Sequence, residues 1–129
     1  MQVPETLRYS EEHEWVLIAD GVATIGITDH AQEELGDIVF VELPALGAVL
    51  TKTATLGVVE SVKAVSDVYA PIGGTVTTVN ERLTGNPEII NEDPYGEGWM
   101  VKVSVTDTAE VDGLMTAAQY REFVAQEKA

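Results

Sequence analysis

Gly57-Val58-Val59-Glu60-Ser61-Val62-Lys63-Ala64-Val65-Ser66-Asp67-Val68-Tyr69-Ala70-Pro71 is the stretch around which the rest of the chain arranges itself. Valines recur on both sides of Lys63-Ala64, a density of β-branched residues that favours extended chain. We read a hairpin over residues 57–70 with Lys63-Ala64 at its tip. The turn has neither Gly nor Asn, the residues that usually make two-residue hairpin turns. Pro71 and the Gly73-Gly74 pair bound the second arm. Lys63 is one of only four lysines, and it interrupts the apolar run where the chain should reverse. A primary amine at such a tip is accessible to an acylating enzyme, and a long arm attached there would clear the surface. The ordinary alternative is a solvated lysine with no special role.

Working outward, short strands alternate with turns. His13 to Ala19 and Val22 to Ile27 flank Asp20-Gly21, a strong hairpin signal. Thr28 caps a short helix, Asp29 to Leu35, with an acid in its first turn and Gly36 positioned to end it. Ile38 to Leu43 is strand-like until Pro44 stops it, and Pro44 to Gly47 is rich in turn residues. Thr75 to Val79 and Gly98 to Val105 read as further strands. Between them, Asn80 to Gly96 is rich in Asn, Pro, Gly and acids and reads mostly as loop. From Asp107 to about residue 127 the pattern turns helical. Thr116 and Gln119 form a capping box ahead of Tyr120, Phe123 and Val124, three apolar residues on one helical face. With no long linker and no low-complexity segment, residues 1–129 read as a single, mainly β domain.

Composition excludes several functions. Hydrophobic residues make up 45% of the chain, enough to fold it against a formal charge of −15 from 22 acids and 7 bases. That charge repels nucleic acid and anionic lipid, and it suits either solubility alone or steering toward basic patches on partner proteins. The absence of cysteine removes disulfides, thiolate metal sites and thiol catalysis, so any sulfur chemistry must come from a cofactor. The opening residues 1–15 form no leader pattern, and no apolar run approaches the roughly 20 residues that span a bilayer. A soluble intracellular protein is expected. His13 and His30 are the only histidines, and neither lies in a nucleophile or metalloprotease motif. Glu11, Glu12, His13 and Glu14 are adjacent in a strand-like segment, so they face opposite ways and do not converge on one ion. We read them, like Glu33-Glu34, as solvated acidic surface and expect no metal and no catalytic residue. Gly73-Gly74 and Gly96-x-Gly98 read as turns, since neither pair opens a helix after a strand.

The segment Gly57 to Val76 resembles the lipoyl-attachment region of the glycine cleavage system H proteins. There the pattern E-S-x-K-A-x-S-D-x-x-A-P surrounds the modified lysine, matched here by Glu60, Ser61, Lys63, Ala64, Ser66, Asp67, Ala70 and Pro71. HEW at His13 to Trp15, GITDHAQ at Gly26 to Gln32, LGDIVFVELP at Leu35 to Pro44 and NEDPYGEGWM at Asn91 to Met100 resemble family blocks in the family order. The resemblance implies a flattened barrel-sandwich hybrid of short antiparallel strands with a C-terminal helix, a lipoyl-carrier domain of the lipoyl/biotinyl superfamily. It implies lipoate amide-linked to Lys63 by lipoylating enzymes, and a shuttle rather than an enzyme. The implied partners are a PLP-dependent glycine decarboxylase, which loads an aminomethyl group, a folate-dependent aminomethyltransferase, which takes it, and a dihydrolipoyl dehydrogenase.

Around the attachment lysine, Glu60, Ser61, Ala64 and Asp67 are candidates for recognition by the lipoylating enzyme or a partner. The two acids equally suit keeping an apolar hairpin soluble. Glu14, His30 and Glu34 are candidates for a cleft sheltering the amine of the loaded arm, with His30 alternatively a helix residue that holds no ligand. Some family members carry a histidine where this chain has Glu34, which a carboxylate would replace as a partner for an amine. Biotinyl carriers typically flank their lysine with methionines, and 2-oxoacid dehydrogenase lipoyl domains show D-K-A within a larger acyltransferase. Val62 and Ala64 match neither. An H-like relay that donates lipoyl groups to other complexes and an unmodified acidic adaptor are the remaining alternatives. The expected location is the bacterial cytoplasm, or the mitochondrial matrix for a processed chain.

Overall fold

A computed structural model describes residues 1–127. The chain begins with β1 (Arg8–Tyr9), β2 (Glu14–Ala19) and β3 (Val22–Ile27), then α1 (Asp29–Leu35) and β4 (Ile38–Glu42). Next come β5 (Val49–Leu50), β6 (Thr55–Ser61), β7 (Val65–Tyr69) and β8 (Gly74–Val79). Two one-turn helices, α2 (Arg82–Gly85) and α3 (Ile89–Glu92), lead to β9 (Val101–Val105). A 3-10 turn at Thr108–Gly113 and α4 (Ala117–Glu127) follow.

The strands form two antiparallel sheets, ordered β1-β2-β3-β9-β8-β5 and β4-β6-β7, which do not close into a barrel. Asp20 and Gly21 both take positive φ, 53° and 78°, as a hairpin turn matched to strand twist requires. The flanking strands pair from Glu14↔Ile27 to Ala19↔Val22. Alternate residues then face inward. Ala23, Ile25 and Ile27 of β3 meet Val101 and Val103 of β9, Val76 of β8, and Leu56, Val59 and Val68 of the smaller sheet in one core. A buried side chain of this size contributes about 1.5–3 kcal/mol, so this core is the main support of the sheet pair. Gly57 permits the tight join of β6 to β4, because a Cβ there would collide with the carbonyl oxygen of Glu42.

A second core lies under α4. Leu7, Tyr9 and Trp15 pack against Ala117, Tyr120 and Val124, with the Tyr9 and Tyr120 rings stacked at 4.6 Å. The expected capping box forms: Thr116 N–H donates to Gln119 Oε1, and Gln119 N–H to Thr116 Oγ1. The helix α1 also begins and ends as read, with Thr28 Oγ1 accepting from the Ala31 amide and Gly36 at φ 79°.

Some expectations fail. His13 lies outside β2 at φ 70°, so the first hairpin starts one residue later. Strands β1 and β5, of two residues each, carry no periodic signal and escaped the reading. Residues 80–96, read as mostly loop, contain α2 and α3, because Leu83, Ile89 and Ile90 are buried against the main core. The last strand begins at Val101, since Gly98 and Trp99 are still held in a turn by bonds to Asp93 and Gly96.

Candidate functional site

The reversal at Lys63 is built by a side chain, which explains how it forms without Gly or Asn. Ser61 Oγ accepts from the amides of Lys63 (3.3 Å) and Ala64 (3.1 Å), while the Ser61 amide donates to the Ala64 carbonyl at 2.8 Å. The Val62 amide donates to the Asp37 carbonyl at 3.1 Å, docking the tip on the end of α1. Lys63 is exposed, and its Cε lies 3.7 Å from where a Cβ at Gly36 would sit. Gly36 in turn occupies a backbone region that L side chains rarely adopt. Glu60 is opposite Val65 and Phe40, and Asp67 is opposite Val58, so the two acids stand on different arms of the hairpin. Val39, Phe40, Val62 and Val65 are exposed around them, an apolar surface dotted with carboxylates.

Two adjoining cavities open beside β7. The first, about 440 Å³, is lined by Tyr9, Ser10, Glu14, Lys52 and Met115 among others. Glu14 is only 2% exposed, which overturns its reading as part of a solvated acidic edge. Its carboxylate accepts from Ser10 Oγ and from the Tyr69 amide at 3.1 Å, tying β2 to β7. Burial outweighs those two bonds and pushes its pKa up to about 7. The second cavity, about 660 Å³, is lined by His13, His30, Glu34, Ser66, Asp67 and Glu127 among others. His30 projects from α1 with its Nε2 3.9 Å from Glu34 Oε1. Glu12 and Tyr69 line both cavities.

The structure thus brings His30 and Glu34 onto one wall and sets Glu14 in the neighbouring cavity. Asp67, read as a hairpin marker, faces the cavity of His30. Lys52, Tyr69 and Glu127 were missed. Lys52 and Glu127 are exposed charges with no local pattern, and Tyr69 reads locally as an ordinary strand residue.

Residues 7–127 match the family model described as Glycine cleavage H-protein. This chain belongs to the glycine cleavage H-protein family. It is 58% identical over 127 residues to the glycine cleavage system H protein of Halorhodospira halophila, covering 98% of both chains. The corresponding protein of Anoxybacillus flavithermus is 55% identical, covering 98% of this chain and 100% of the relative. The crystal structure of a glycine cleavage system H protein from Mycobacterium marinum superposes with a TM-score of 0.86 at 39% identity. That match covers 98% of this chain and 100% of the other. As an H protein the chain is the lipoyl-carrying shuttle of the glycine cleavage system, a carrier component working among enzymes.

Proposed function

We propose that Lys63 is the attachment point of lipoate, amide-linked through Nζ. The observation that carries this is the tip itself: an exposed amine on a turn clamped by Ser61 and anchored to Asp37, with open cavities beside it. Such a tip fits the group, since it presents the amine to a lipoylating enzyme without unfolding anything. When attached, lipoate supplies the dithiolane sulfurs that this cysteine-free chain lacks.

The chain's own residues hold, shelter and present. Ser61 and Ala64 shape the turn, and Glu60 and Asp67 mark its arms for the lipoylating enzyme and for partners. The apolar residues Val39, Phe40, Val62 and Val65 offer those partners a face to bury. His30, Glu34 and Asp67 line the cavity that receives an amine from the loaded arm, with Glu14 in the cavity adjoining it. A buried carboxylate such as Glu14 pairs with an aminium through charge-assisted hydrogen bonds. The partners are a PLP-dependent glycine decarboxylase, a folate-dependent aminomethyltransferase and a flavin-dependent dihydrolipoyl dehydrogenase, visited in turn by a carrier with no turnover alone. Its bacterial relatives suggest the cytoplasm, and no helix among the described residues is long and apolar enough to cross a membrane.

The test is the intact mass of protein expressed with lipoate available, beside Lys63→Ala, followed by peptide mapping. A lipoyl-sized increment on the Lys63 peptide, absent from the variant, is expected. An increment on Lys52, Lys102 or Lys128, or an unmodified chain in cells with working lipoylation machinery, would overturn the assignment. The unmodified outcome would favour an acidic adaptor.

A further inference from the structure

We propose that His13, His30 and Glu127 form a binding site for a divalent zinc-class ion on the wall of the second cavity. Both histidines of the chain meet there, carried by the segment before β2 and by α1, and they join a carboxylate from the last described turn of α4. One ligand atom from each residue lies within 4.8 Å of the other two. His13 Nε2 is 3.1 Å from Glu127 Oε2, and the two imidazole rings are 4.7 Å apart at 47°.

The His13 ring is held from behind. Its Nδ1 is 2.7 Å from the Tyr120 hydroxyl, which is in turn 2.8 Å from Thr28 Oγ1. With Nδ1–H donating to Tyr120, the Nε2 lone pair faces the Glu127 carboxylate, and the two form a pair of ligand atoms that one cation can bridge. An imidazole whose far nitrogen is held by a hydrogen bond is the usual arrangement of a metal-ligating histidine. The backbone is bent to deliver it, since His13 takes a φ of 70°, a conformation uncommon outside glycine.

Tetrahedral zinc with bonds of about 2.0–2.2 Å places its ligand atoms about 3.3–3.6 Å apart. The His13–Glu127 pair, at 3.1 Å, is already near that separation, and the exposed Glu127 side chain is free to adjust to the ion. Two imidazoles and a carboxylate suit zinc and its neighbours in the first transition row, whereas magnesium and calcium select oxygen alone. Glu34 stands 3.9 Å from His30 Nε2 on the same cavity, beside the site, and water fills the fourth position. The site shares His30 and its cavity with the cleft proposed for the loaded arm, so the ion occupies it when the arm brings no amine there.

The experiment is a titration of the purified full-length chain with Co²⁺ near neutral pH. Visible absorption follows the ion's coordination, and displacement by Zn²⁺ and calorimetry with Zn²⁺ complete it. One equivalent should bind with micromolar affinity, perturb both histidine imidazole signals in NMR and resist displacement by excess Mg²⁺. His13→Gln, His30→Gln and Glu127→Gln should each weaken binding by about tenfold or more. Circular dichroism checks each fold, and the exposed Glu127→Gln keeps the test open if the buried His30→Gln unfolds. Unchanged affinity in His13→Gln and Glu127→Gln, or ready displacement by Mg²⁺, would mean diffuse attraction to an acidic protein and would overturn the site. Absence of saturable binding at millimolar metal would equally overturn it, leaving a His–carboxylate contact that tethers α4.

Discussion

Glu14 is the residue at which burial and function pull hardest against each other. Its native carboxyl keeps a proton until about pH 7, while in the unfolded chain it releases it near 4.5. Between those values the native state binds more protons than the unfolded one, so this residue's contribution to stability falls as pH rises and stays low above about 7. Glu14→Gln keeps the shape and removes the charge. Denaturant unfolding on either side of neutrality should show the variant gaining about 1–3 kcal/mol over the parent above pH 7 and much less below pH 5. A constant difference across that range would mean that Glu14 is ionised throughout. The pattern Glu11 to Glu14 spoke for solvent, and only the closure of β1, β2 and β7 over the side chain makes Glu14 a buried acid.

At the scale of elements, Asn91 joins three of them. Its Oδ1 accepts from the Ile38 amide at the start of β4, and its Nδ2 donates to Gln32 Oε1 and to the Gly36 carbonyl, all at 2.9 Å. The end of α1 fixed in this way is also the surface on which the Lys63 tip rests, through Asp37. Asn91→Ala removes all three bonds and should cost about 2–3 kcal/mol in urea unfolding. Hydrogen exchange at the Val62 amide should quicken by more than the global destabilisation explains. Equal changes everywhere would show that α1 and the hairpin are not coupled through Asn91. Helix α1 was legible because Thr28, Asp29 and Gly36 act within one turn of it. Helices α2 and α3 were not, because their few buried apolar residues are scattered among Asn, Pro and Gly.

The whole molecule carries a formal charge of −15, and its described ion pairs are few. Repulsion among exposed carboxylates is screened over about 10 Å at 0.1 M salt. Added sodium chloride should therefore raise the calorimetric Tm by a few degrees between low and physiological ionic strength. The same salt should slow association with partners that present basic surfaces. A Tm that falls with salt would mean that the ion pairs, such as Arg82–Glu97 and Arg121–Glu5, outweigh the repulsion.

What the sequence by itself determined are the features written within a few residues of one another: the Asp20-Gly21 turn, the caps of α1, the Thr116–Gln119 box and the lysine-tipped hairpin. Each depends on neighbours within about one helical turn or one strand pair, so the residues present suffice to specify it. The family blocks added identity, because matching segments in order carry more information than any one motif. Only the tertiary structure decided that β9 lies between β3 and β8, that Glu14 is buried, and that His13, His30 and Glu127 meet. Those outcomes join residues tens of positions apart, and they are selected by how two sheets and a terminal helix share one interior, which no local pattern records.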